Sequence, residues 1–174
     1  MQQVNIALQA WKQALPAEPN YEPLSDNSPV RYPPPNIMYL HCMYYALIIL
    51  LHRPFISDGH LRFTVVPEQS WKQCTSAARS ITNIALAYQT AYTLTSAPYL
   101  ISYTIYVRCT IHVRNAAAEG GRGKEHTFLL SASLQCLEEL CSANPGVAKP
   151  VNIIKRLMAV NKLNITAGKL FDIR

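Results

Sequence analysis

Cysteine and histidine are the residue types here that could ligate a metal or carry a nucleophile or base. The cysteines stand at 42, 74, 109, 136 and 141, and the histidines weighed as ligands are His41, His52, His60 and His112. A zinc site needs such ligands closely spaced. Cys136 and Cys141 are five residues apart, which on a helix sends their side chains to different sides. No two of those histidines stand at i and i+4, so a helical zinc pair is not available. Reduced core thiols and ordinary structural histidines are the expectation, and no metal or other cofactor is expected in this chain. Glu138 and Glu139 are the only adjacent carboxylates, about 100° apart on a helix, and cannot face one substrate together. They read as surface charges. Gly121-Arg122-Gly123-Lys124 has the look of a phosphate loop without the preceding strand or the final hydroxyl, so it reads as a connection. No enzymatic constellation emerges. The densest chemical feature is a tyrosine set, with Tyr88, Tyr92, Tyr99 and Tyr103 as the candidate lining of a small-molecule effector pocket, since phenols offer area and a polar tip. Core and interface packing is the competing and preferred use of the same residues.

The elements that must carry these residues follow from apolar spacing and proline. Val4, Leu8, Trp11 and Leu15 share one face of an amphipathic helix over about 1–15, ended by Pro16. Seven prolines crowd the stretch 16–35, which reads as an extended linker. From Asn36, a good N-cap type, to His52 the sequence is apolar nearly all round, which suits a helix surrounded by protein, and Pro54 ends it. Pro67 opens a helix to about residue 92 with Trp71, Cys74, Ala78, Ile81, Ala85 and Tyr88 inward. Pro98 stands in the first turn of the next, to about Ala118; a strand of that length would far exceed the usual 5–6 residues. A fifth helix covers about 125–143 with Phe128, Leu129, Ala132, Cys136 and Leu140 inward, and Pro150 opens a sixth. The prediction is an all-α, multi-helical array of about six helices: a helix over 1–15, a linker over 16–35, a helical core over 36–143, and a final helix with a basic tail over 144–174.

Composition bounds the function further. Apolar residues make up 49% of the 174 and charged residues 15%, against roughly 25% charged in an average soluble domain. A surface this poor in charge suggests that something is meant to cover part of it. The net charge of +6 is concentrated at the C-terminal end, where residues 145–174 hold six basic side chains and one acidic one. A polar helix face and tail explain this without nucleic acid, because aromatic residues for base stacking do not interleave. The run Ile37–Leu51 is shorter than the roughly 20 residues needed to cross a bilayer and contains His41, so no membrane role is expected.

One segment is more distinctive than its composition. Pro33-Pro34-Pro35 is followed by Leu40-His41, Tyr44, and then Ile49-Leu50-Leu51-His52-Arg53-Pro54-Phe55. This resembles the Pro-Pro-x-x-x-x-Leu-His-x-x-Tyr-x-x-x-x-Ile-Leu-Leu-His-Arg-Pro-Phe segment of the regulatory, or middle homology, domain of fungal zinc binuclear cluster transcription factors, especially those similar to nitrate-assimilation activators. Leu8-x-x-Trp11-x-x-x-Leu15-Pro16 and Ala97-Pro98-Tyr99-Leu100-Ile101-Ser102-Tyr103 are similar to further segments of the same family. The resemblance implies a nuclear transcription regulator, with the motif residues structural rather than catalytic: Pro54 stops the helix, Phe55 tucks against its apolar end, and Arg53 bonds its last carbonyls. The six-cysteine cluster that reads DNA in this family has no counterpart in the cysteine spacing here, so zinc and DNA are expected only in a full-length parent. The chain resembles the C-terminal half of the family's domain. That implies the missing upstream half, another protein, or a second copy as partner.

Overall fold

A computed structural model describes residues 2–15, 32–56, 68–120 and 124–163. Among them the chain forms six α-helices: α1 (Gln2–Ala14), α2 (Pro35–His52), α3 (Glu68–Tyr92), α4 (Tyr99–Ala118), α5 (Lys124–Ala143) and α6 (Ala148–Val160), with no strand. The linker residues 16–31, the Asp58-Gly59 turn with His60 and Pro67, Gly121–Gly123 and the tail after Leu163 lie outside the described residues.

The proline signals act one step away from where sequence puts them. In α2 the N-cap position is held by Pro34, with Pro35 next to it, and Asn36 lies inside the first turn. Proline has no N–H to satisfy and its φ is already helical, so it begins the helix before an Asn side chain is needed. Pro98 likewise sits at the N-cap of α4 rather than in its first turn, in extended backbone at φ −56° and ψ 142°. Its carbonyl accepts from the Ile101 N–H at 2.9 Å. A short 3-10 turn, Leu94–Ser96, joins α3 to α4, and another, Pro145–Val147, joins α5 to α6.

The core is arranged around α4. This helix packs against α2, α3, α5 and α6, and thirteen of its twenty residues are buried. The expectation that α2 would be the enclosed helix is therefore corrected. α2 buries Met38, His41, Cys42, Tyr44, Ala46, Ile48, Ile49 and His52, but Leu47 and Leu50 are exposed. Uniform apolarity hid this, because a helix with no polar stripe gives no sign of which side faces outward. In α5 the inward set is Leu129, Leu130, Leu134, Cys136, Leu137 and Leu140, whereas Phe128 is 48% exposed. α1 lies on α2: Trp11 and Tyr44 are tilted rings 6.3 Å apart. The Lys12 ammonium sits 4.7 Å from the Tyr45 ring centre and donates to its hydroxyl at 2.8 Å.

Candidate functional site

The Leu40–Phe55 segment is the backbone of α2 and its terminus. His41, Tyr44 and His52 are buried, Leu40, Leu51, Arg53, Pro54 and Phe55 are half-buried, and Leu50 is exposed. The helix ends where the Arg53 N–H closes on the Ile49 carbonyl, and Arg53-Pro54-Phe55 continues as a 3-10 turn capped by the Ile56 N–H on the Arg53 carbonyl at 3.2 Å. It is therefore the backbone of Arg53, rather than its guanidinium, that caps the helix. His52 Nδ1 lies 3.3 Å from the Ser70 hydroxyl, which ties the end of α2 to α3. Burial holds the His52 pKa below its ordinary value.

The four tyrosines do not converge. Tyr88 and Tyr92 are in contact, with ring centres 5.5 Å apart. The Tyr92 hydroxyl donates to the Pro33 carbonyl at 2.9 Å, fastening the chain just before α2 onto α3. Tyr99 and Tyr103 are exposed, at 56% and 39%.

A cleft of about 340 Å³ lies elsewhere, where the end of α2, the start of α3, the second half of α4 and the end of α6 meet. Arg53, Trp71, Arg114 and Asn161 line it, over an apolar wall that includes Ile111, Val113, Ala117 and Leu157. The Arg114 guanidinium stands 5.9 Å from the Trp71 ring centre, a cation–π arrangement. Both arginines act on the nearby Cys74 thiol, favouring its thiolate, but burial outweighs them and pushes its pKa up to about 11. The thiol contacts the Ile49 carbonyl at 3.8 Å. Sequence reading passed over this site because its residues are far apart in the chain and each is unremarkable alone.

Polar residues inside the core were also missed. Arg108 is fully buried; one guanidinium nitrogen donates to the Ile81 carbonyl at 2.9 Å, while Nε and the other terminal nitrogen have no hydrogen-bond partner. One turn on, His112 Nε2 is 2.9 Å from the Thr82 hydroxyl, and that hydroxyl donates to the Ala78 carbonyl. Burial, followed by Arg108 and His126, drives the His112 pKa down to about 3. The His126 ring is tilted against that of His112 with centres 6.4 Å apart, and its Nε2 lies 3.6 Å from Glu119. Glu139, read as a surface charge, instead accepts from the Leu94 N–H at 3.0 Å and from the Gln89 amide, so it holds the α3–α4 connection to α5. Glu138 pairs with Lys155 of the basic segment at 2.9 Å.

Cys42, Cys74, Cys109 and Cys136 are buried on four different helices, and burial pushes the Cys109 thiol up to about 12. Among the described residues no three His, Cys, Asp or Glu side chains form a group that could hold a metal ion, and no helix is long and apolar enough to cross a membrane.

Comparison with known proteins gives homologues at low identity over most of the chain. It is 25% identical over 157 residues to the nitrogen assimilation transcription factor nit-4 of Neurospora crassa, covering 90% of this chain and 13% of that protein. It is 29% identical over 145 residues to the nitrogen assimilation transcription factor nirA of Emericella nidulans, covering 78% of this chain and 15% of the relative. The chain thus spans a small fraction of the length of the curated relatives it matches. No protein-family model matches it, and no solved structure matches it.

Proposed function

We propose that this chain is the regulatory, middle homology portion of a fungal transcription regulator and works by packing and partner contact rather than by chemistry. The observation that carries this is that the similarity to fungal transcription factors runs through 78–90% of the chain, while the motif segment builds α2 and its terminus.

In this reading DNA is bound, and zinc held, by another part of a longer nuclear protein. Leu47 and Leu50 on α2, with Val4, Ile6 and Trp11 on α1, form apolar surface suited to contact with the rest of that protein or with a second copy. Lys149 and Arg156 stand exposed on α6, and this basicity is a solvated helix face.

The test is a fusion of the 174 residues to an unrelated DNA-binding domain in a fungal reporter strain. Expression several-fold above or below that of the DNA-binding domain alone supports the proposal. A fusion that is folded by circular dichroism, nuclear and abundant, yet leaves the reporter unchanged, overturns it.

A further inference from the structure

We propose that α1 is a releasable strap on α2, latched by the Lys12 ammonium beside the Tyr44 and Tyr45 rings, and that neutralising this one charge frees α1 while the other five helices stay assembled. α1 buries very little. None of residues 3–15 is buried, whereas each of the other helices keeps at least three side chains inside. Among the described residues, α2 is the one helix against which α1 packs closely. A helix of 13 residues is marginal by itself in water, so α1 owes its form to being docked. A docking that buries no residue of the docked helix lies at the low end of local stability.

A small apolar contact and one cation hold the helix down. Leu8 packs against the core, and the exposed Trp11 tilts over Tyr44 with ring centres 6.3 Å apart. The Lys12 ammonium lies 5.1 Å from the Tyr44 ring centre and 4.7 Å from that of Tyr45, and it donates to the Tyr45 hydroxyl at 2.8 Å. One cation thus serves two rings and a hydroxyl, and each of the three attractions draws on its charge. Removing the charge weakens all three at once.

α2 does not depend on α1 for its position. It packs on α3 and α4, and the Tyr92 hydroxyl holds the Pro33 carbonyl just ahead of it. Residues 15–34 stand between the two helices, a length of chain that reaches at most about 70 Å, so α1 can leave without drawing on α2. Its departure uncovers the Tyr44 ring, only 7% exposed when covered, one turn from the exposed Leu47. The apolar face of α2 is lengthened by that much. The release rests on the α1–α2 contact alone, and its failure would leave the regulatory reading intact.

The experiment is amide hydrogen exchange, followed by mass spectrometry, on the full chain and its Lys12→Gln, Lys12→Arg and Tyr45→Leu variants. In the parent, α1 should exchange faster than α4 and slower than an unstructured peptide. Glutamine matches lysine in helix propensity, so Lys12→Gln reads the latch; it should quicken α1 by about five- to tenfold, the usual consequence of losing a charge-assisted contact, and leave α4 unchanged. Lys12→Arg keeps a cation over the rings and should stay within about twofold of the parent. Tyr45→Leu leaves Lys12 at the end of its own helix, where its charge suits the helix dipole, but removes the ring and hydroxyl it meets. It should quicken α1 as well. The proposal is overturned if Lys12→Gln or Tyr45→Leu leaves α1 exchange unchanged, if α4 quickens together with α1, or if Lys12→Arg is as fast as Lys12→Gln. A parent α1 that exchanges no faster than α4, or already at the unstructured rate, overturns it equally.

Discussion

His112 Nε2 and the Thr82 hydroxyl meet at 2.9 Å across the α3–α4 interface, in a place from which water is excluded. The imidazole is kept neutral there. Burial acts first, and the guanidiniums of Arg108 and Arg79 and the ring of His126 add to it, so its pKa falls from 6.5 to about 3.

This fixes the sign of the acid response. Between those two values the unfolded chain takes up a proton at His112 that the folded chain refuses, so stability present above pH 6.5 is lost as pH falls toward 3. Buried His52, also shifted down, acts in the same direction. Urea unfolding at pH 7.5 and pH 5 should differ by about 1 kcal/mol per unit below 6.5. His112→Gln should flatten this slope. Equal stability at the two pH values would contradict the assignment.

Arg108 is the second consequence of the same interface. Two of its three guanidinium nitrogens have no hydrogen-bond partner in the core, and the cost of desolvating such a group rivals what the bond to the Ile81 carbonyl returns. Arg108→Met should be neutral or stabilising, whereas Arg108→Ala, which leaves a cavity, should cost about 2–5 kcal/mol. Chemical denaturation of both variants checks this. A methionine variant as damaged as the alanine one would show that the charge itself is needed.

The α3–α4 connection carries strain. Thr93 has φ 60° and ψ 143°, a region that β-branched residues avoid. Such strain costs on the order of 1–3 kcal/mol. Thr93→Gly should therefore raise the melting temperature by about 2–4 °C per kcal/mol relieved. A lowered melting temperature would remove the claim of strain.

Glu139 holds that strained connection in place through the Leu94 N–H and Gln89. Glu139→Ala should cost about 1–3 kcal/mol, and amide exchange at Leu94 should quicken more than exchange in the middle of α4. The double variant Glu139→Ala with Thr93→Gly should lose less than the sum of the single effects, because less strain is left to restrain.

The tyrosines separate cleanly by surroundings. Tyr92→Phe removes the bond to the Pro33 carbonyl and should cost about 0.5–1.5 kcal/mol. Tyr103→Phe, at an exposed position, should stay within about 0.5 kcal/mol of the parent. Thermal melts of the two variants decide this, and a larger loss at Tyr103 would point to a contact outside the described chain.

Much of the fold is legible in the sequence, for physical reasons that also mark where legibility ends. Proline and the three-to-four-residue spacing around Trp71, Cys74 and Ile81 define elements strongly, because both act locally. Facing is weaker. Phe128 looked inward because its neighbours Leu129 and Ala132 do, yet one position of helical rotation puts it in solvent. In α2 and α4 nearly every side chain is apolar or uncharged, so nothing local distinguishes the enclosed helix from the one with an open side. Arg108 looks like a surface residue by type, and only tertiary packing places it in the core. The cleft is least legible of all: Arg53, Trp71, Arg114 and Asn161 have no shared spacing, only a shared location.

The thiols distributed through the core have a practical consequence. α2, α3, α4 and α5 each carry at least one buried cysteine, and the thiols of Cys74 and Cys109, held protonated by burial, are poor nucleophiles until they meet water. Each helix therefore contains its own chemical stopwatch. Under native conditions the rate at which an alkylating reagent marks a given cysteine reads how often that helix breaks away, so the order of labelling is the order in which the assembly comes apart.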